Sequence, residues 1–540
     1  MEALAIGFLH SYANDAHERA AGAWLQQRLP QLSITLSSAV CPEIREYERL
    51  PTACANAYVQ PLMASYLARL DTQLAAQGFT GALMLMTSGG GLTTLQTARA
   101  YPVRLVESGP AGGAILAAGL ARALDLPQVL SFDMGGTTAE ICLIADGQPE
   151  HSRSFEVARV WRNLKGSGLP VRIPVTEMVE IGAGGGSMAR VDAMRRIQVG
   201  PTSAGSEPGP ACYGRGGTQP TVTDANVVLG RISPLGFAAG SVALDRSAAE
   251  SAVSSGVGTP AGLDLQWAAA GIGEIVEENM AAAARVHAIE RGRTVQACTM
   301  IAFGGAAPLH AARLAQRLGM TRVVVPMDAS VGSALGFLAA PVAFEVVRSH
   351  FVDETAFDAV AAARVDALLA AMADEATAIV RPGALGAALA TRRSVEMRYR
   401  GQGHEIAIAL PDGPLDAAAL RVLRATYEAR YEAQFGQRMG DVPLELLTWQ
   451  VQVGTADAAE ALAAAAAPRP ASAATGRRAV FDPTEGRLLD VPTYDRPGLQ
   501  PGMALDGPAL VVEPQTTTWV PGGWRCSVVA GGHLLLQATA

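Results

Sequence analysis

Lysine is almost absent from this chain: Lys165 is the single lysine among 42 basic residues, the other 41 being arginine. A bias of this size reflects coding preference, yet it removes chemistry. A phosphate-binding P-loop needs a Gly-Lys-Ser/Thr triplet, and an imine-forming enzyme needs a buried lysine. Lys165 lies in the polar turn Asn163-Leu164-Lys165-Gly166-Ser167-Gly168, which suits neither. A basic surface is lacking too. The net charge of −8 argues against nucleic acid as a partner. The six cysteines (Cys41, Cys54, Cys142, Cys212, Cys298 and Cys526) form no Cys-x-x-Cys pair and no zinc spacing. They read as reduced thiols, so the expected location is the cytoplasm. No apolar run approaches the ~20 residues of a membrane span, and Glu2 stands where a signal peptide wants a base.

What is present points to a globular α/β enzyme. The 540 residues are enough for three to four domains at roughly 150 residues each. Apolar residues make up 49%, and 57 glycines and 32 prolines supply the loops. Apolar spacing predicts a strand over 3–9, helices over 14–28 and 53–77, and a strand over 81–86. In the second of these helices Tyr58, Leu62, Tyr66 and Leu70 recur at four-residue steps. A small-residue helix is expected after Glu107-Ser108-Gly109-Pro110-Ala111-Gly112-Gly113, and a strand over 128–132. Short strands and turns fill 151–235. A long helix over 266–291 would carry Glu274, Glu277 and Glu278 on a wet face, with Gly292 as its stop. A strand over 299–303, a helix to about Leu318 and a strand over 323–326 follow.

The texture changes after Ala340. Helices are expected over 357–380 and 415–435, with strands over 393–399, 405–410 and 446–453. An Ala/Pro-biased linker spans 455–475, and a β-rich module starts near Arg478. The expected domains are 1–38, 39–340 and 341–540.

Three glycine-rich bends carry the candidate chemistry. In the first, a strand runs into Asp133-Met134-Gly135-Gly136-Thr137-Thr138, and apolar residues then resume in strand fashion. The glycines therefore occupy a hairpin turn. Such a turn exposes consecutive N–H groups that can cradle phosphate oxygens. The hydroxyls of Thr137 and Thr138 add donors, and Asp133 can hold a hydrated Mg²⁺ or orient a water. The same residues also suit a hairpin whose turn is only a turn, with Asp133 bonding its own backbone. In the second bend, Phe303-Gly304-Gly305-Ala306 links strand to helix, which points free N–H groups and a positive dipole end at one place. Tight packing is the alternative there, and His310 reads as a helix residue satisfied by a neighbour. In the third, Gly184, Gly185 and Gly186 permit close approach of a ligand or of another backbone.

Together with longer stretches, these bends resemble the hydantoinase A / 5-oxoprolinase family, including its N-methylhydantoinase-type and acetophenone-carboxylase-type subunits. The matching stretches run in order through His10-Ser11-Tyr12, Arg45-Glu46-Tyr47-Glu48-Arg49, Thr87-Ser88-Gly89-Gly90-Gly91, the 107–113 motif and the three bends. They continue through the block Val199–Arg231, Met397–Glu405 and Glu513-Pro514-Gln515-Thr516-Thr517-Thr518. The block 199–231 is the most specific of these.

The resemblance implies an actin/hexokinase-like ATPase fold with a C-terminal α+β or β-rich module. It also implies ATP and Mg²⁺ as cofactors, and a hydantoinase B-type second subunit as partner. The implied activity is ATP-dependent hydrolysis of a cyclic amide through phosphorylation of its carbonyl oxygen. The alternatives are a ketone carboxylase subunit on the same fold and a non-catalytic paralogue that binds a partner. The implied roles are phosphate contact for Gly135, Gly136, Thr137 and Thr138, cofactor contact for Gly184, Gly185, Gly186, Gly304 and Gly305, and Mg²⁺ or water handling for Asp133. Family members carry a further Asp-x-Gly-Gly-Thr-Phe-Thr-Asp hairpin in an N-terminal segment. That stretch does not occur in these residues, so an N-terminally truncated ATPase lobe, with residues 1–38 as the remnant of its first part, is the expectation.

Overall fold

The computed structural model describes residues 2–160, 166–234, 237–455, 469–470 and 473–539. Lys165 and most of the expected linker fall outside the described residues. The chain forms two compact units, each assembled from three separate stretches.

The first unit comprises Met1–Ala111, His151–Thr176 and Ala340–Ala458. Its main sheet has four antiparallel strands in the order Ala343–Asp353, Leu444–Thr455, Leu389–Tyr399, Ile406–Ala409. Strict alternation of buried and exposed residues in Ile406–Ala409 gives one wet face and one dry face. The dry face, including Trp449, Val395 and Met397, packs on the helices Ala359–Val380 and Ala417–Phe435. Asp358 and Asp416 cap these helices by accepting from backbone N–H groups of the first turn. The strand Ala343–Asp353 had no counterpart in the sequence reading.

The helix expected from Ala53 begins at Glu46 and runs to Ala76, with Pro51 and Pro61 inside it. Pro51 reads as a breaker but lies early enough in the helix that little of it precedes the lost hydrogen bond. Tyr58 and Leu62, on the four-residue repeat, are 87% and 72% exposed, so that stripe is not the core face. Buried Glu43 joins distant stretches of this unit by pairing with Arg153 and, at 2.8 Å, with Arg172. Burial alone would raise its carboxyl, but the two guanidiniums prevail and hold it below the usual carboxylate range.

The second unit comprises Gly112–Glu150, Glu177–Ala339 and Ala459–Ala540. Its large sheet runs Met178–Ile181, Ala139–Ala145, Gln128–Met134, Thr299–Phe303, Arg322–Val325, Leu534–Ala538, Trp524–Val528, Met503–Asp506. Gln128–Met134, Thr299–Phe303 and Arg322–Val325 are mutually parallel in that order. Thr299–Phe303 is buried at every residue, as a central strand covered on both faces should be. The helices Leu265–Glu290 and Ala307–Leu318 contribute to the same core. Residues 341–540, expected as one domain, are thus shared between the units, because the last strands complete this sheet. Among the described residues no helix is long and apolar enough to cross a membrane.

Candidate functional site

The site is built at one end of the central strands of the second unit. Gln128–Met134 and Ala139–Ala145 form the expected antiparallel hairpin, with Asp133 opposite Glu140 and Met134 opposite Ala139. The Gly135 N–H closes the turn on the Thr138 carbonyl at 3.1 Å. The parallel neighbour Thr299–Phe303 pairs Phe303 with Asp133. Its exit therefore brings Gly304 and Gly305 beside the hairpin. Ala306 N–H donates to the Met134 carbonyl at 2.9 Å and fixes the two bends together.

Gly304 has φ +94° and is buried against the hairpin; a Cβ there would fall inside contact distance of Asp133 Oδ1 and the Met134 carbonyl. No other residue type fits. Gly135 and Gly136 are different. Neither has a positive φ, and a Cβ at either would meet nothing within 4 Å. No contact within the described chain accounts for glycine at these two positions.

The expected third bend lies beneath the first. Gly184, Gly185 and Gly186 are buried, and a Cβ on Gly184 would stand 2.6 Å from Gly136 C and Thr137 N. Their N–H groups donate to Ser187 Oγ, the Gly135 carbonyl and the Gly136 carbonyl at 2.9, 3.0 and 2.6 Å. Of the two approaches the sequence left open, the structure shows that of another backbone.

Further support comes from the block 199–231. Thr223 donates through both N–H and Oγ1 to the Gly185 carbonyl, at 2.7 and 2.8 Å. Asp224 accepts from Ala211 N, Cys212 N, Thr221 N and Thr221 Oγ1 at 2.7–3.2 Å. Its specificity as a motif is thus the specificity of a buried polar knot. Asp224→Ala would strand several buried donors, and a loss of about 3 kcal/mol or more is expected in urea unfolding.

The knot continues outward. Asn226 Nδ2 lies 3.1 Å from His310 Nε2, and His310 Nδ1 lies 2.9 Å from Glu277 Oε1. His310 is satisfied by neighbours, as expected. Glu277, expected on a wet face beside Glu274 and Glu278, is instead 2% exposed, because it faces His310 while the other two pair with Arg313 and Arg317.

Asp133 does not bond its own backbone. Its Oδ2 accepts from Ser333 Oγ at 2.7 Å, from the helix Gly332–Ala339. That helix crosses the start of the small-residue helix so closely that a Cβ on Gly336 would overlap the Gly112 carbonyl. The helix expected after the 107–113 motif begins inside it, at Ser108. Burial pushes the Asp133 carboxyl up to about 6, against the opposing Ser333 hydrogen bond.

Gly136 and Thr137 are exposed, and so is Gly305. Among the described residues, no protein acceptor takes the backbone N–H groups of Gly136, Thr137, Thr138 or Gly305. Free N–H donors on two joined bends, with the Asp133 carboxylate beside them and Glu140 held by the Thr138 hydroxyl at 2.8 Å, suit a polyphosphate and a hydrated Mg²⁺. Magnesium needs only one or two carboxylates when phosphates and water complete its shell. An all-protein metal cage is a different matter: among the described residues no group of three His, Cys, Asp or Glu could form one.

Beside Gly305 a cavity of about 630 Å³ opens, lined by Ile232, Phe237, Leu309, Val512 and Glu513 among others. The bends are local in the sequence, whereas the walls of this cavity come from stretches far apart in the chain.

An α/β protein with a glycine-turn hairpin joined to a strand–Gly-Gly–helix bend, braced from below by buried polar knots, is the class this geometry defines. The hydantoinase/oxoprolinase family profile matches residues 49–346, and that of the hydantoinase/oxoprolinase C-terminal domain matches 359–537. The chain belongs to the hydantoinase/oxoprolinase family.

Among its relatives, the caprolactamase subunit alpha of Pseudomonas jessenii is 32% identical, over 98% of this chain and 75% of that protein. The acetophenone carboxylase gamma subunit of Aromatoleum aromaticum is 31% identical, over 99% of this chain and 74% of that one. The crystal structure of the ATP-dependent caprolactamase from Pseudomonas jessenii matches all of this chain and 77% of its own, with TM-score 0.84 and 30% identity.

Proposed function

We propose that this chain is the ATP-binding subunit of an ATP-dependent cyclic-amide hydrolase, with an actin/hexokinase-like arrangement of its nucleotide site. The observation that carries the reading is the pair of glycines, Gly135 and Gly136, whose Cβ positions point into open space while neighbouring N–H groups remain undonated. The relative described as an ATP-dependent caprolactamase supports the nucleotide and the cyclic amide. Relatives named as subunits support a heteromeric complex, in which a hydantoinase B-type chain is the proposed partner.

ATP supplies a phosphoryl group that converts an amide oxygen into a leaving group. The chain's own residues do the positioning. Gly136, Thr137, Thr138 and Gly305 donate backbone N–H groups to phosphate oxygens, and the Thr137 hydroxyl adds to them, whereas Thr138 Oγ1 donates to Glu140 Oε1 at 2.8 Å. Asp133, ionised above about pH 6, orients Mg²⁺ or water. Gly184, Gly185 and Gly186 act from beneath by holding the turn rigid. Phosphoryl transfer is mostly positioning and charge stabilisation, which a braced backbone provides without any lysine.

The same machinery would serve a ketone carboxylase, the activity named for the Aromatoleum relative. The test is ATP hydrolysis by the chain together with its partner subunit, supplied in turn with hydantoin, 5-oxoproline, a larger lactam, and a ketone plus bicarbonate. Stimulation by a cyclic amide is the expected result. Stimulation only by the ketone with bicarbonate moves the chain to the carboxylase reading, and ATP turnover with none of them contradicts both.

Gly136→Ala offers a separate check. A methyl group there meets no atom of the protein, so melting is expected to be unchanged or slightly higher, by at most about 1 kcal/mol. Nucleotide affinity is nevertheless expected to fall at least about tenfold in calorimetry.

A further inference from the structure

The motif Thr87-Ser88-Gly89-Gly90-Gly91 takes no part in the nucleotide reading, yet it builds a site of its own. Thr87, Gly89 and Gly91 line a small cavity in the first unit, together with Arg104, Glu345 and Gln452. Pro174, Ala343 and Phe344 complete its wall. The glycines let the walls come close: a Cβ on Gly91 would stand 2.8 Å from the Ala343 carbonyl, and one on Gly89 would stand 3.2 Å from Pro174 Cβ. Thr87 is occupied within its own turn, donating through N–H and Oγ1 to the Gly91 carbonyl, each at 2.9 Å.

The cation on this wall is under-partnered. The Arg104 guanidinium lies 4.4 Å from the centre of the Phe344 ring, and its Nη1 donates to the Glu345 carbonyl at 2.9 Å. Among the described residues Nε and Nη2 meet no acceptor, and no carboxylate forms an ion pair with this side chain. Unlike Arg153 Nε, which is sealed in without a partner, these two nitrogens still border open space. Burial and the nearby Arg153 guanidinium both weigh against the charge of Arg104, and Glu345 offsets them only in part. Glu345 carries the one carboxylate on the wall, and Arg153 takes it while also holding Glu43. Two further groups of the wall, the Gly89 N–H and the Gln452 carboxamide, have no hydrogen-bond partner among the described residues.

These features narrow the ligand. Nε and Nη2 form one edge of the planar guanidinium, and that edge matches the two oxygens of a planar anion. A volume of about 30 Å³ holds about two water oxygens, which is the footprint of one carboxylate group and leaves no room for a nucleotide. We infer that this cavity binds a small planar oxyanion, either a carboxylate group or bicarbonate, gripped side-on by Arg104 Nε and Nη2. The inference is independent of the nucleotide reading of the two glycine bends, since every residue it uses lies in the first unit.

The test is calorimetric titration of the full chain with sodium formate, sodium bicarbonate and sodium chloride at matched ionic strength, for the wild type, Arg104→Met and Gln452→Glu. The wild type is expected to bind formate or bicarbonate at least about tenfold more tightly than chloride, which cannot span two donors. The tighter of the two oxyanions identifies the source, an organic carboxylate or bicarbonate. Each variant is expected to weaken that binding at least about tenfold. Gln452→Glu keeps the guanidinium and the size of the wall while adding a negative charge, so it stays readable if Arg104→Met fails to fold. A wild-type crystal soaked in the tighter-binding salt should show the ion against Arg104 Nε and Nη2. Water alone in that cavity, equal affinity for chloride, or affinity that survives in Gln452→Glu would each overturn the assignment.

Discussion

Asp133→Asn is expected to lower ATP turnover by about two orders of magnitude or more and at the same time make the protein more stable at neutral pH. The two effects share one cause. Burial raises the Asp133 carboxyl from its ordinary 3.8 to about 6, so the folded state holds its proton more tightly than the unfolded chain does. A group raised in this way contributes stability that is fully present below the unfolded value and is lost as pH rises through the folded one. At pH 7 the folded protein carries an ionised, poorly solvated carboxylate, at a cost on the order of 2–3 kcal/mol given the printed value of about 6.

The asparagine is neutral and can still accept from Ser333 Oγ, so most of that cost disappears. A rise in melting temperature at pH 7, shrinking towards pH 4, is the expected signature. Turnover should fall by about 10²-fold or more, the usual range for loss of a positioned acid–base or charge-stabilising group. In the wild type, kcat/KM for ATP should decline as pH drops through about 6. A variant that gained stability yet kept wild-type turnover would remove Asp133 from the chemistry.

Gly304→Ala should do the opposite, losing stability and binding together. The left-handed φ of +94° is strained for any side chain, at roughly 1–3 kcal/mol. The added methyl group would also press on Asp133 Oδ1 and the Met134 carbonyl, so the two bends would have to separate. A clear drop in melting temperature and at least about a tenfold loss of nucleotide affinity are expected. Gly305→Ala is the matched control. Its Cβ would have only the Gln515 carbonyl nearby, at 3.8 Å, so its stability should stay within about 0.5 kcal/mol of wild type. Equal melting curves for Gly304→Ala and Gly305→Ala would show that the bends are not locked as described.

The contrast among these glycines marks what the sequence could and could not convey. Strand periodicity on both sides of 135–138 is a local signal, and so is the switch from strand to helix at 304–305; both elements were readable for that reason. Which glycines serve the backbone and which serve a ligand depends on atoms far away. Gly304 is filled by Asp133, and Gly184 by the Gly136–Thr137 peptide, whereas Gly136 faces nothing.

Ser333 was out of reach of sequence reasoning because it lies 200 residues from its partner Asp133. Glu277 was misplaced because its neighbours Glu274 and Glu278 do sit on the wet side, and one helical step turns a carboxylate towards His310. The strand Ala343–Asp353 and the return of the C-terminal strands into the sheet of the second unit are long-range pairings, for which composition gives no signal. The motifs of the 199–231 block were legible as a family resemblance. Their physical purpose, a carboxylate satisfying several donors beneath the hairpin, became readable only with Asp224 in place.

The most direct measurement is a crystal structure of the chain soaked with a non-hydrolysable ATP analogue and Mg²⁺. Phosphate oxygens should lie about 3 Å from the N–H groups of Gly136, Thr137 or Thr138 and of Gly305, with the metal on the Asp133 side and the nucleoside in the cavity beside Gly305. An analogue bound elsewhere, with both bends untouched, would contradict the assignment of the glycine turns as the grip on the triphosphate.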